Sequence, residues 1–312
     1  MTLKPASVEE LAELLANASA RGEKISSVSL DALNRLLEHT AEDMTATVEA
    51  GVTLAELQRQ LAAHGQWLPI DPPKPERLAV GALLAADASG PRRFGYGTIR
   101  DYVIGLKAVL ADGQVIHSGG KVVKNVAGYD LMKLFIGSRG SLGVIVEATF
   151  KLRPLPGAET FIQANCPSLD EAGRLIEAVL DSEFTPVVVD LHNLSGPVGH
   201  SSIVLGLAGT REEVEWQSAK AAELGCAEPS SLGYQERLGA EGSAFRKVSV
   251  LPSKTVEFIR ALNGARFIAR AGNGIIYHCG TLAPDSHQRP TKLEQRLKDE
   301  FDPKHILPDL PL

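Results

Sequence analysis

The chain has 312 residues, 44% of them hydrophobic and 22% charged, with a formal net charge of −6. That length allows two domains of ordinary size, and the composition is that of a globular protein. The acidic balance and the lack of a long basic run argue against nonspecific nucleic-acid binding, and no apolar stretch approaches the about 20 residues of a membrane helix.

The opening stretch, "MTLKPASVEELAELLANA", has acidic residues where a secretory signal needs its apolar core, so a cytoplasmic location is expected. Ser7 with Glu10 forms an S-x-x-E capping box, and Val8, Leu11, Leu14, Leu15 and Ala18 make one apolar stripe behind it. A second box, Thr53 with Glu56, starts a helix carrying Leu54, Leu57 and Leu61 that Gly65 can close. Between them "TATVEAG" (45–51) reads as a strand.

Residues 66–102 fit no element of normal length. They hold five prolines and the glycines 81, 90, 95 and 97, around the small apolar run "AVGALLAADASG". A long irregular stretch inside a compact domain usually carries function. Next, "VIGLKAVLADGQVIH" (103–117) predicts a hairpin turning at Asp112-Gly113, and "LGVIVEATFKLRP" (142–154) a long strand closed by Pro154 and Pro156.

Past that proline pair the order changes. Strands are expected at 160–166, 186–192, 202–208, 247–251, 266–271 and 274–279. Helices follow the capping boxes Ser168/Glu171 and Thr210/Glu213, and another runs from Ser253 to Leu262. The first part of this series is a βαββα run, as in a ferredoxin-like α+β unit. Thr291/Glu294 starts a last helix before a proline-rich tail.

Chemistry has few anchors. Cys166, Cys226 and Cys279 are far apart with no C-x-x-C, and the eight histidines show no H-x-x-x-H spacing, so neither an iron–sulfur cluster nor a metal site is expected. A redox protein without a metal centre would have to hand its electrons to something else. The glycines 137, 140 and 143 form G-x-x-G-x-x-G before a strand, whereas a Rossmann loop needs G-x-G-x-x-G between a strand and a helix. Two readings of the glycines stay open. They serve turns and close packing, or they admit a cofactor against backbone N–H groups. Arg92 and Arg93 could clamp a substrate carboxylate, and His278 is placed to act as a base; each is equally readable as a structural residue.

The blocks "VEAGVTLAELQRQLAAHGQWLPIDPP" (48–73), "VGALLAADASG" (80–90), "YGTIRDYVIGLKAVLADGQVI" (96–116), "AGYDLMKLFIGSRGSLGVIVEATFKLRPLP" (127–156) and "FDPKHILP" (301–308) resemble, in this order, the FAD-binding domain of the vanillyl-alcohol-oxidase or p-cresol-methylhydroxylase type. "GPRRFGYGTIRDYVIG" (90–105) and "GGKVVKNVAGYDLMKL" (119–134) look most like the small FAD-binding subunit of glycolate oxidase. The resemblance covers nearly the whole chain. It implies an α+β protein: an FAD-binding domain over 1–156, a ferredoxin-like α+β cap over 157–285, and a C-terminal helix and tail, 286–312, returning to the first domain. It implies FAD as cofactor and a small 2-hydroxy acid as substrate. The implied partners are a larger flavoprotein subunit and an iron–sulfur subunit, through which any membrane association would run.

Carried across residue by residue, the resemblance places the flavin against Pro72, Val80, Gly81, Ala82, Ala86, Asp87, Ser89 and Gly90, then Tyr96, Gly97 and Asp101, then Gly140, Gly143, Val144 and Ile145. Asp101 could instead brace the loop below Arg100. In the block at 119–134, Lys121, Lys124, Tyr129 and Asp130 sit together, with Tyr129-Asp130 read as fixing the loop on the core. The chain departs from the pattern at several points. The R-G-x-G-T/S loop that grips the pyrophosphate in relatives is reduced to Arg21-Gly22, followed by "ISSVSL". Gly-Gly is Gly81-Ala82, the usual Asn is Asp87, G-S-E-G is Gly137-Ser138-Arg139-Gly140, and N-P-G is Pro308-Asp309-Leu310. Asp87 would repel a phosphate, whereas Arg139 could pair with one. Loss of flavin, leaving an interaction subunit on the same fold, is the alternative these departures raise.

Overall fold

Two antiparallel sheets, each with its own helices, organise the chain. The structure is a computed structural model and describes residues 1–120, 131–194, 200–237, 245–281 and 290–310. Lys121, Lys124, Tyr129 and Asp130 lie outside the described residues. The first lobe is built on a five-stranded sheet in the order Leu36–Thr40, Thr45–Glu49, Val144–Lys151, Val103–Val109, Val115–Gly119. The 103–119 hairpin turns where expected, with Gly113 at φ +86°. Edge strand Leu36–Thr40 is absent from the sequence reading, because its residues are all exposed or half-buried and leave no alternation to detect.

All five capping boxes start helices: Val8–Arg21, Leu54–Ala62, Leu169–Leu180, Arg211–Glu223 and Lys292–Phe301, each with its Ser or Thr accepting the N3 backbone N–H. The irregular region 66–102 holds one short buried helix, Val80–Ala85, and one turn of helix, Arg93–Tyr96. Leu83 and Leu84 of the first join Leu57, Phe135 and Ile145 in the main core of the lobe.

The second lobe is a seven-stranded sheet. Its order is Glu228–Pro229, Ala158–Cys166, Ser201–Gly209, Val188–His192, Phe267–Arg270, Ile275–His278, Arg246–Ser249. Helices Leu169–Leu180, Arg211–Glu223 and Thr255–Ala261 flank it, and its core includes Ala172, Ile176, Leu191, Leu205, Ile259 and Phe267.

The C-terminal segment returns to the first lobe and is fastened by a buried ion pair. Lys298 is 2% exposed; its ammonium meets Asp302 at 2.6 Å and donates to the carbonyls of Ser141, Leu307 and Pro308. Asp302 in turn accepts the N–H groups of Ile306 and Leu307. Every polar atom of the pair is satisfied, which is what makes a buried pair tolerable. Removing one partner strands the other charge in a dry site. Lys298→Met is therefore expected to destabilise the protein by about 3–5 kcal/mol, read as a lowered midpoint in urea unfolding; an unchanged midpoint would remove this pair from the account of the fold.

Candidate functional site

The lobes face each other across a cleft of about 620 Å³. The first lobe contributes Pro72–Lys74, the turn Ala86–Ser89 that follows the short helix, and Arg139. The second contributes Lys247, Ile268, Arg270 and Tyr277. Strand register explains the second wall. Lys247 pairs with Tyr277, and Tyr277 with Ile268, across three neighbouring strands, so the three stand side by side on one face. Arg270 is two residues on and shares that face.

The Arg270 guanidinium is 5% exposed and ion-paired with buried Asp190, which also accepts the Tyr234 hydroxyl. Burial works against the Arg270 charge. Asp190 and then the tyrosines 234 and 277 outweigh it and hold its pKa above the ordinary value. Its Nη2 donates to Gln235, while Nε is buried with no acceptor among the described residues. Desolvation, then the charges of Arg93 and Arg139, pull the Lys247 ammonium down, with Asp87 opposing Arg139 in that sum.

Two strained residues meet on the opposite wall. Asp87 has φ +46° and Arg139 φ +51°, a conformation most side chains avoid. Arg139 N–H donates to the Ala85 carbonyl and Gly137 N–H to that of Leu84, so the 137–139 turn caps the short helix. The Asp87 Oδ1 is buried without a partner among the described residues.

A second cavity, of about 600 Å³, lies beside the cleft and shares its Pro72–Lys74 wall. Arg92 lines it. Its guanidinium meets Asp71 at 3.1 Å and Glu159 at 2.5 Å and lies 5.4 Å from the ring centres of both Trp67 and Phe161. Desolvation raises the Asp71 carboxyl to about 7, against the pull of Arg92 and Arg270.

Of the residues singled out from sequence, Pro72, Ala86, Asp87 and Ser89 line the cleft together. Several others are held by the protein itself. Gly81 packs on Ala50, where a Cβ would come to 2.9 Å of its side chain. At Gly90 a Cβ would collide with the Asp71 carbonyl, and at Gly143 it would reach Phe135 and the Val109 carbonyl at 3.0 Å. Val80 and Ile145 are core residues, Val144 packs against the cluster of Leu3, Leu33 and Val146, and Ala82 is exposed. Tyr96 rests edge-on against Trp67 at 5.3 Å. Asp101 caps the turn at Thr98 through the backbone N–H and the hydroxyl, with Gly97 (φ +87°) against its carboxylate. Gly140 (φ +79°) has open space on its Cβ side.

The two catalytic candidates are placed elsewhere. His278 alternates with Tyr277 and so faces away from the cleft; it is fully buried near Phe258, and desolvation and then Arg246 lower its pKa. Both acids beside Arg92 are already engaged with it, which leaves no fork for a substrate carboxylate. The sequence reading missed Lys247, Arg270 and Tyr277, whose only signal is strand parity.

Around Arg21-Gly22 the vestige of the phosphate loop is a helix end, with Gly22 at φ +66°. Segment 29–35 runs back against Gly51, whose N–H donates to the Leu33 carbonyl, and Leu33 is buried. The cleft residues fit the ring end of a flavin: an aromatic and an aliphatic side chain on one wall, and on both walls polar atoms without partners among the described residues.

Residues 22–119 match the FAD binding domain family. The chain is 37% identical over 158 residues to glycolate oxidase subunit GlcD of Bacillus subtilis, which is 51% of this chain and 34% of that protein. It is 41% identical over 143 residues to D-lactate dehydrogenase of Archaeoglobus fulgidus, 46% of this chain and 32% of the relative. A D-2-hydroxyglutarate dehydrogenase of Stutzerimonas stutzeri is 34% identical over 166 residues, 53% and 35% of the two chains. The chain thus spans about a third of the length of the curated relatives it matches. The solved structure of alkyldihydroxyacetonephosphate synthase superposes with a TM-score of 0.73 over 98% of this chain and 76% of that one, at 17% identity, which speaks to the fold alone. The chain carries an FAD-binding domain of the p-cresol-methylhydroxylase type. Over about half its length the chain is similar to FAD-dependent oxidoreductases, a glycolate oxidase subunit among them.

Among the described residues no helix is long and apolar enough to cross a membrane, and no group of His, Cys, Asp and Glu is arranged to hold a metal. A pH effect follows from Asp71. An unfolded Asp ionises near 3.8, whereas the folded carboxyl keeps its proton up to about 7. The folded state therefore binds the extra proton across that window, and stability falls as pH rises from about 4 to about 7. Asp71→Asn is expected to flatten that part of the curve in urea titrations. A wild-type slope of the opposite sign would mean that Arg92 holds the carboxylate charged instead.

Proposed function

We propose that this chain is the small flavin-carrying subunit of a complex that oxidises a 2-hydroxy acid to the 2-oxo acid. The cleft between the lobes carries the reading. It joins four of the residues expected at the flavin to a buried cation, Arg270, whose Nε–H has no acceptor among the described residues. When bound, FAD supplies the two-electron acceptor for the hydride from the carbinol carbon. The protein's own part is to orient the acid through Arg270 and to exclude water between Ile268, Tyr277 and Pro72.

In this reading 1–156 is the FAD-binding domain, 157–285 the cap and 286–312 the returning tail, and the complex works in the cytoplasm. The cap's strand order, with Glu228–Pro229, Ala158–Cys166, Ser201–Gly209 and Val188–His192 as neighbours, supports a ferredoxin-like unit at its core. A larger flavoprotein subunit and an iron–sulfur subunit complete the electron path, which the relatives' glycolate oxidase subunit favours. The second reading is an interaction subunit with little flavin of its own. Protein atoms filling the space beside Gly81, Gly90 and Gly143 favour it.

The purified chain, incubated with excess FAD and desalted, is expected to show flavin bands near ~375 and ~450 nm at about one flavin per chain. Glycolate or lactate should bleach them, with sustained turnover only once the partner subunits are added. A chain that stays colourless yet co-purifies with a flavoprotein would replace the first reading with the second.

A further inference from the structure

Three cations from three separate segments come together at the cleft: Arg139 in the glycine turn and Lys247 on the edge strand of the second lobe line it, and Arg93, after the 90–92 turn, stands beside them, close enough for its charge to act on Lys247. None of them makes an ion pair within the described residues. Arg93 donates to the Ser89 hydroxyl, at 3.2 Å, which also lines the cleft. Like charges held together repel; of the acids lining the same cleft, Asp87 and Glu236, Asp87 has an Oδ1 that is buried with no partner among the described residues. Arg139 is fixed in place: its backbone is left-handed and its N–H is bonded to Ala85. A cluster of three cations with no paired acid among the described residues, one of them on a fixed backbone, is a seat for an oxyanion.

Among the described glycines, four main-chain positions are closed to a phosphate, whereas Gly140, next to Arg139, stays open. The spaces beside Gly51, Gly81, Gly90 and Gly143 hold the protein's own atoms. We propose that Arg93, Arg139 and Lys247 form an oxyanion seat at the mouth of the cleft, where the phosphate end of a flavin nucleotide is held while its ring lies against Tyr277 and Ile268. This rests on the reading that the cleft takes a flavin. The same seat chemistry would suit a second carboxylate on the substrate, so the test separates the two sources.

Riboflavin, FMN and FAD are titrated into the full chain at low salt, with binding read from quenching of flavin fluorescence. FMN and FAD are expected to bind about tenfold or more tightly than riboflavin. In an Arg139→Ala, Lys247→Ala double variant both should fall to the riboflavin level while riboflavin itself is unchanged, and Lys247→Arg should keep most of the difference. Circular dichroism melts establish that the variants fold. Equal affinity of the three flavins for the unaltered chain overturns the seat and leaves the flavin reading standing. Failure of all three to bind overturns the flavin reading and the seat with it. Variants that weaken binding of 2-hydroxyglutarate to the flavin-loaded chain but spare FMN overturn the assignment to the cofactor and give the seat to the substrate.

Discussion

The placement of the lobes depends on the Arg92 guanidinium. It is held by Asp71 from the first lobe and Glu159 from the second, and it is walled by the rings of Trp67 and Phe161. Arginine suits this place because its planar fork binds two carboxylates at once and its face lies on aromatic rings. Its neighbours complete the joint. The Asp71 carbonyl closes over Gly90, Gly95 donates its N–H to Val187, and the Phe94 ring lies under Gly272. With the lobes locked here, the walls of the cleft stand at a set separation, and every polar atom in it inherits that geometry.

Much of the fold was legible because local signals agreed with it. The five capping boxes start five helices, and six of the seven strands of the second lobe fall within two residues of their expected bounds, the short Glu228–Pro229 being the one the sequence reading lacked. The candidate site was legible only in its first-lobe half, where Pro72, Ala86, Asp87 and Ser89 come from one continuous block. Its other half depends on parity. Tyr277 and His278 are adjacent in sequence and lie on opposite faces of a sheet, so the choice of His278 over Tyr277 turned on one residue of register. Lys247, Ile268 and Arg270 meet through pairing of separate strands, and a single sequence carries no record of that. Glycine was ambiguous for a plainer reason. The lack of a side chain reads the same whether the space is taken by a cofactor or by Ala50, Asp71 or Phe135.

Charge in the cleft divides by depth. Arg270, buried, has a buried acid beside it, as any guanidinium withdrawn from water requires. Arg93, Arg139 and Lys247 stand nearer solvent and are left without a paired acid among the described residues, though partial desolvation still weighs on the Lys247 charge. A chain of net charge −6 thus gathers positive charge at an opening between its lobes, which favours entry of anions over neutral solutes.

The Lys298–Asp302 pair has a consequence for the order of folding. It seats Ile306 and Leu307 among Leu3, Leu11 and Leu15, and the Ile306 carbonyl accepts the Ile25 N–H. The first lobe is therefore discontinuous, with the second wholly inserted within it. During synthesis the inserted lobe, contiguous in sequence, can finish folding while the earlier one still waits for residues 298–307 to emerge. Until then the apolar faces of the first helix and of strand Val144–Lys151 remain partly uncovered, so the nascent chain, rather than the finished protein, is where chaperones have most to hold.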